Sequence, residues 1–68
     1  MTEKQQLIAM LTRAGIGHGL RHNYNPPGES VQIESDEKDR NGDWWVTEFG
    51  FDQDGNLNEV VTYPGEEW

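Results

Sequence analysis

The segment 44–63 constrains the fold most, because two strand-like runs flank the turn-forming sequence Asp52-Gln53-Asp54-Gly55-Asn56. A type I turn followed by Gly55 in the left-handed conformation forms a three-residue loop with a bulge. The cross-strand pairs that this turn sets are Asp52 with Asn56 and Phe51 with Leu57. The sequence therefore predicts an antiparallel hairpin with strands at 44–52 and 56–63.

Counting back from the turn extends this register along both strands. The further predicted pairs are Phe49 with Glu59, Thr47 with Val61, and Trp45 with Tyr63. Side chains alternate between the two faces of a strand, so one inner face collects the apolar residues. The predicted inner set is Trp45, Phe49, Phe51, Leu57, Val61 and Tyr63, with the charged Glu59 among them. A two-residue Asp54-Gly55 turn would instead scatter this set.

The N-terminal segment carries helix signals at both ends. Thr2 and Gln5 fit a capping box, and Gly15 can take the left-handed conformation that ends a helix. Ile16 would then fold back on Leu11. The apolar residues that recur at helical spacing are Leu7, Ile8, Met10, Leu11 and Ala14. We expect one helix at about 3–14.

Two short strands are predicted between the helix and the hairpin. Alternating apolar and polar residues indicate strands at 19–24 and 30–35, separated by the turn-forming run 25–28. The charged run 36–42 indicates a surface loop, or alternatively a recognition loop. Since short connections favour sequential pairing, the whole chain 1–68 is expected to form a single α+β domain. Its N-terminal helix packs on one face of a three- to four-stranded antiparallel meander.

The charge is strongly acidic and unevenly distributed. The chain has a formal charge of −8, of which residues 41–68 contribute −7, with no lysine or arginine among them. Such a field repels phosphate backbones, so we expect no direct nucleic-acid binding and a basic protein partner instead. The alternative is that the acids only maintain solubility.

The cysteine count and the hydropathy pattern bear on location. With no cysteine there is neither a disulfide framework nor a thiolate metal site, which favours a reducing cytoplasm. No stretch resembles a signal peptide or approaches the roughly 18 apolar residues of a membrane-spanning helix.

Candidate metal and catalytic residues give weak signals. His18 and His22 lie about 13 Å apart if residues 18–22 are extended, which is too far for one zinc ion. The acids before Gly55 fit a calcium-binding loop at too few positions. Ser30 and Ser35 lack a nucleophile motif. We expect no catalytic residues, no metal and no cofactor.

Trp44 is the residue most suggestive of a binding surface. In the predicted register it lies on the sheet face opposite Trp45, on a face that the helix leaves open. The residues predicted to bind a partner there are Trp44, Val46, Glu48, Val60 and Thr62. An aromatic residue surrounded by acids is typical of an interaction hot spot. The alternative is that Pro64 or Trp68 from the chain's own tail covers Trp44.

The order of these features resembles a group of small uncharacterised α+β proteins found in bacteriophages and bacteria. The resemblance lies in the helix ending Ala14-Gly15-Ile16 and in the hairpin Phe49-Gly50-Phe51-Asp52-Gln53-Asp54-Gly55-Asn56-Leu57. It implies the fold and a phage setting, and it brings no catalytic residues.

Together these features lead to one main hypothesis and two alternatives. The main hypothesis is a small acidic, non-enzymatic protein-binding module, a phage accessory protein that occludes a basic site on a host protein. Mimicry of DNA charge is a special case of it. The first alternative is a structural homo-oligomer or assembly component. The second is a small hydrolase or metal-binding protein.

Overall fold

One helix followed by four strands makes up the described part of the chain, which in this computed structural model comprises residues 1–24, 27–35, 38 and 40–65. The elements are α1 (Glu3–Ala14), β1 (Gly19–Tyr24), β2 (Pro27–Glu34), β3 (Trp45–Asp52) and β4 (Leu57–Pro64). Neighbouring strands pair antiparallel in the order β1-β2-β3-β4. This confirms the predicted α+β meander. Within the described residues, no helix has the length and apolar character needed to cross a membrane.

Helix α1 begins and ends as the sequence predicts. The Thr2 hydroxyl accepts a hydrogen bond from Gln5 N at 3.2 Å, and the Gln5 side-chain oxygen accepts one from Thr2 N at 2.9 Å. At the other end Gly15 has φ of 73°, and Ile16 N donates to the Leu11 carbonyl at 2.9 Å. These contacts satisfy backbone groups that a helix end would otherwise leave unpaired.

The start of α1 is attached to the β3–β4 turn. Lys4 N donates to the Gly55 carbonyl at 3.1 Å, and Leu57 N donates to Glu3 Oε1 at 3.2 Å. Gly55 has φ of 83°, and a Cβ atom there would lie 2.7 Å from Thr2 Cβ. Glycine at this position therefore permits both the turn and the close approach of the helix.

The core lies between α1 and the middle of the sheet. Its buried side chains are Leu11, Val31 and Phe51, with Leu7, Ile8, Ile33 and Phe49 packed around them. A helix about 10 Å wide covers roughly two strands spaced 4.8 Å apart. The core side chains come from α1, β2 and β3, so the helix-side residues of the outer strands β1 and β4 stay accessible. Phe49 and Phe51 are structural, as predicted.

The hairpin register agrees with the prediction only next to the turn. Phe51 pairs with Leu57, and Asp52 N donates to the Asn56 carbonyl at 3.0 Å. A bulge then leaves Asn58 without a Cα partner on β3, since Gly50 pairs with Glu59. The remaining pairs are Phe49 with Val60, Thr47 with Thr62, and Trp45 with Pro64. The three predicted pairs beyond the turn are therefore wrong by one residue.

The bulge changes the face on which most β4 side chains lie, because a slip of one residue exchanges the two faces of a strand. We call the side of the sheet that contacts α1 the helix face and the other side the far face. Val60 and Thr62 lie on the helix face, opposite Phe49 and Thr47. Glu59, Val61 and Tyr63, predicted to point inward, lie on the far face instead.

The connection between β1 and β2 differs from the prediction. Strand β2 begins at Pro27, three residues before the predicted start, and pairs with both β1 and β3. A Cβ atom at Gly28 would lie 2.1 Å from the Phe51 carbonyl oxygen, so only glycine lets the two strands approach here. Of the predicted loop 36–42, positions 36, 37 and 39 lie outside the described residues.

Candidate functional site

Trp44, predicted to be an exposed hot spot, packs against the chain's own tail. A Cβ atom at Gly65 would lie 2.3 Å from Trp44 Nε1, so the indole contacts the glycine directly. Gly65 N also donates to the Trp44 carbonyl at 2.7 Å. Lys38 Nζ lies 5.0 Å from the centroid of the Trp44 ring, within the range of a cation–π contact. Trp44 is half-buried, and Trp68 lies outside the described residues.

Trp45, predicted to be a core residue, is 41% exposed on the helix face. It lies opposite Pro64 at the start of β3. Its backbone is well held, because Ser35 N donates to the Trp45 carbonyl at 2.8 Å and Trp45 N donates to Ser35 Oγ at 3.0 Å. The prediction assigned the correct face to Trp45 but the wrong degree of burial, since the helix covers only part of that face.

Val46 and Glu48 lie on the far face, as predicted, where they line a cleft with Trp44 and Tyr63, but both side chains are mostly buried. Val46 is buried between its cross-strand partners Glu34 and Tyr63. The Glu48 side chain is only 13% exposed. Both positions are therefore less accessible than the predicted binding surface requires.

Glu48 belongs to a polar cluster with Arg21, Gln32 and Tyr63. The Tyr63 hydroxyl donates to Glu48 Oε2 at 3.0 Å, and Gln32 Nε2 donates to the Tyr63 hydroxyl at 3.4 Å. Arg21 Nη1 lies 3.8 Å from Glu48 Oε1. Partial burial is the largest cause of a raised pKa at Tyr63, and the nearby Glu48 carboxylate raises this pKa further. These contacts hold a partly buried carboxylate in place.

Val60 and Thr62 belong instead to an exposed surface on the helix face. We call the residues Met10, Leu57, Val60 and Trp45 the apolar strip. Their exposed fractions are 57%, 42%, 52% and 41%. Val60 lies opposite the half-buried Phe49, and Thr62 lies opposite Thr47 with the two hydroxyl oxygens 3.4 Å apart. The strip follows the β3–β4 pair beside the helix, and the Thr47–Thr62 pair lies between Val60 and Trp45.

A shallow cleft opens between the helix and the first part of the strip. Its volume is about 290 Å³. The lining residues are Glu3, Gln6, Leu7, Met10, Phe49, Phe51 and Leu57. The floor is aromatic, and polar side chains from the first turns of α1 border it. An apolar cleft with a few polar groups at its margin is suited to receiving an apolar side chain.

The residues considered for catalysis or metal binding are engaged in structural contacts. Ser30 is buried and its hydroxyl accepts from Asn23 Nδ2 at 2.8 Å. His18 Nδ1 lies 3.0 Å from the Ile16 carbonyl oxygen, whereas the His22 ring packs edge-on against Tyr24. Within the described ranges no three metal-ligating side chains form a group that could hold an ion.

The Asp52 carboxylate belongs to the hairpin turn. Asp52 Oδ1 accepts from Asp54 N and from Asn56 N, each at 2.9 Å. These hydrogen bonds lower the pKa of Asp52, and the bond from Asn56 N makes the largest contribution. The prediction of a turn in this segment agrees with the geometry.

Of the five residues predicted to form one binding surface, the structure places Trp44, Val46 and Glu48 on the far face and Val60 and Thr62 on the helix face. The reasoning from sequence missed Met10, Leu57 and Trp45 as accessible apolar residues. Because a helix covers only about two of four strands, its width could have indicated the exposure of Leu57 and Trp45. Comparisons with protein-family models, curated proteins and solved structures find no significant match.

Proposed function

We propose that the chain is a non-enzymatic protein-binding module and that its apolar strip binds a basic protein partner. The observation that carries this proposal is the exposure of four large apolar side chains, each at least 41% accessible, beside a helix that leaves β4 uncovered. A chain with 32% hydrophobic residues has few to spare for its surface. Several exposed apolar residues on one face are typical of interaction sites.

The composition of the strip fits an interface centre. Trp45 supplies a large aromatic side chain, and tryptophan is enriched among residues that dominate binding energy. Met10 supplies a flexible side chain that adapts to different partners. The neighbouring cleft provides a place where an apolar side chain of the partner can insert. Trp45 can therefore insert into the partner, and the cleft beside the strip can receive an apolar side chain of the partner.

Charge argues for a basic partner. Residues 41–68 include β3 and β4, and they carry seven acidic residues and no lysine or arginine. Glu3 also borders the cleft. Complementary charge accelerates encounter and excludes acidic competitors. The mechanism is occlusion of a basic site, and the resemblance to small bacteriophage proteins supports a host protein as the target.

Self-association is the second candidate function, and the same strip favours it. An exposed apolar surface next to an outer strand can bury itself against a second copy of the chain. Sedimentation at micromolar concentration separates the two candidates. A monomer favours a foreign partner, whereas a stable dimer favours the structural role.

A selection from a displayed peptide library tests the binding function. The immobilised chain selects peptides, and each enriched peptide is then measured against the Trp45→Ser and Leu20→Ser variants. Leu20 is a matched control because it is 59% exposed on the helix face of the opposite outer strand. Thermal unfolding checks that both variants keep the fold.

We expect the enriched peptides to combine basic and apolar residues. Their affinity should fall about tenfold or more with Trp45→Ser, which corresponds to roughly 1.4 kcal/mol or more, and stay unchanged with Leu20→Ser. Equal affinity for both variants, or enrichment of acidic peptides, would contradict the proposal.

A further inference from the structure

We infer that the outer edge of β4 accepts an extended segment of the partner as a fifth strand, a binding mode that rests on the function proposed above. Within the described ranges, no strand pairs with this edge of β4. Peptides that add a strand to a sheet gain affinity from main-chain hydrogen bonds and specificity from alternating side chains. Both components can be located on β4.

The backbone groups that face outward follow from the ladder between β3 and β4. In an antiparallel pair, hydrogen-bonded and non-hydrogen-bonded residue pairs alternate. Since Gly65 N donates to the Trp44 carbonyl, the alternation makes Thr62 and Val60 members of non-hydrogen-bonded pairs. Their N–H and C=O groups therefore point away from β3, toward the outer edge.

Two features limit the length of this edge. Pro64 occupies the next outward position and has no N–H to donate. The bulge at Asn58 interrupts the ladder at the other end. The edge open to a fifth strand is thus the segment 59–63, with two regular outward residues at its centre.

The side chains on either side of this edge define the chemistry of the incoming segment. On the helix face, Val60 belongs to the apolar strip and Thr62 lies between Val60 and the end of the strip at Trp45. On the far face, the exposed Glu59 carries a negative charge. A fifth strand places successive side chains on opposite faces. The segment that fits alternates apolar residues, which meet the helix face, with basic residues, one of which meets Glu59 beside the exposed Val61 on the far face.

The other outer strand has the opposite charge character. Strand β1 contains Arg21 and His22 and no acidic residue. Lys4 lies on this side of the helix, where it forms a salt bridge with Glu29, the cross-strand partner of His22. The charges beside the two outer strands therefore favour pairing of a basic segment with β4 over pairing with β1.

A synthetic peptide of about eight residues that alternates lysine with valine is the probe. Its affinity is measured by titration calorimetry against a peptide of the same composition with helical spacing. Two further probes carry N-methyl groups, one on all valines and one on all lysines. Residues of one type in an extended strand send their N–H groups to the same edge, so only one of the two methylated peptides blocks pairing with β4.

Variants of the protein test the same edge from the other side. Thr62→Pro removes an outward N–H while leaving the bonds between β3 and β4 intact, whereas Thr62→Val keeps the N–H and removes the hydroxyl. Proline at an outward position of an outer strand is tolerated, and thermal unfolding verifies the fold. The N-methylated peptides provide the same information without altering the protein.

We expect the alternating peptide to bind at least about tenfold more tightly than the helically spaced one. This difference in affinity should disappear with the Thr62→Pro variant and with one of the two methylated peptides. It should remain with the Thr62→Val variant and with the other methylated peptide. Equal behaviour of the two methylated peptides, or no effect of Thr62→Pro, would overturn strand addition. If Trp45→Ser still abolishes binding in that case, the protein-binding function stands without this mode.

Discussion

Tyr63 and Glu48 are diagonal neighbours on the far face, joined by a hydrogen bond of 3.0 Å from the Tyr63 hydroxyl to Glu48 Oε2. This contact depends on the bulge at Asn58. Without that extra residue Tyr63 would lie on the helix face, on the opposite side of the sheet from Glu48. The bulge at Asn58 therefore determines whether Tyr63 can contact the Glu48 carboxylate in the middle of β3.

Tyr63→Phe should reduce the free energy of unfolding by about 1 kcal/mol, because Glu48 loses a hydrogen-bond donor in a partly buried position. The raised pKa of Tyr63 in the folded chain also makes the wild-type protein lose stability as the pH rises from about 10 through the folded-state pKa. Tyr63→Phe has no phenol to ionise at this position, so the variant should not lose this part of its stability at high pH. Urea unfolding between pH 7 and 11 measures both effects.

Tyr24→Phe is the matched control, since Tyr24 is 85% exposed. It should leave stability at neutral pH within about 0.5 kcal/mol of wild type. An equal effect of the two substitutions would show that the bond between Tyr63 and Glu48 contributes nothing specific.

Gly65→Ala should destabilise the chain by roughly 1–3 kcal/mol, because the new methyl group would collide with the Trp44 indole and force it to move. Chemical denaturation with tryptophan fluorescence measures the change. Gly17→Ala is the control, as a Cβ atom there meets no other atom within 4 Å. A stability unchanged by Gly65→Ala would mean that the Trp44 ring moves away without cost.

The features that could be predicted from the sequence are those encoded within a few residues. The capping box at Thr2, the left-handed Gly15 and the turn at Gly55 each depend on local backbone chemistry, so the helix, the turn and the order of the elements were predicted correctly. Phe51 was correctly assigned to the core because it lies next to the turn that fixes its pairing.

The features that could not be predicted depend on distant parts of the chain. The bulge at Asn58 carries no strong signal in the sequence, yet it exchanges the faces of Val60, Val61 and Tyr63. The burial of Trp44 depends on Gly65, and the exposure of Trp45 depends on which strands the helix covers. Alternation of side chains predicts a face but not how well that face is covered.

Acid should weaken the fold partly through the ion pair between Lys4 and Glu29. A hydrogen bond from Lys4 and its charge lower the pKa of Glu29 below its usual value of 4.5. A carboxylate with a lowered folded-state pKa stabilises the fold above the unfolded-state pKa, and that stability is lost as the pH falls through the folded-state value. Glu29→Gln should therefore make the acid side of the stability profile less steep.

Urea unfolding between pH 2 and 7 tests this prediction. Glu59→Gln is the control, because Glu59 lies on the far face of β4, away from Lys4. It should leave the slope of the acid limb close to that of wild type. A similar change of slope in both variants would assign the effect to net charge and not to the ion pair.

The salt dependence of the association rate should distinguish mimicry of DNA charge from binding that depends mainly on the apolar strip. If the acidic surface imitates DNA, the association rate with a basic partner should fall about tenfold or more as salt rises from 0.05 to 0.5 M, because screening shortens the reach of the field. Stopped-flow association with a selected basic peptide measures the rate. An association rate insensitive to salt would exclude the mimicry mechanism and leave only local contacts.

The two adjacent tryptophans should respond to alanine in opposite ways. Trp44→Ala removes a half-buried ring seated on Gly65 and should cost about 2 kcal/mol of stability with little effect on partner affinity. Trp45→Ala removes a ring that is 41% exposed in the apolar strip. It should cost less stability but reduce affinity for a selected peptide about tenfold or more. Chemical denaturation and calorimetry on the same two variants give both quantities. Greater loss of affinity with Trp44→Ala would return the binding surface to the far face and refute the assignment of the apolar strip.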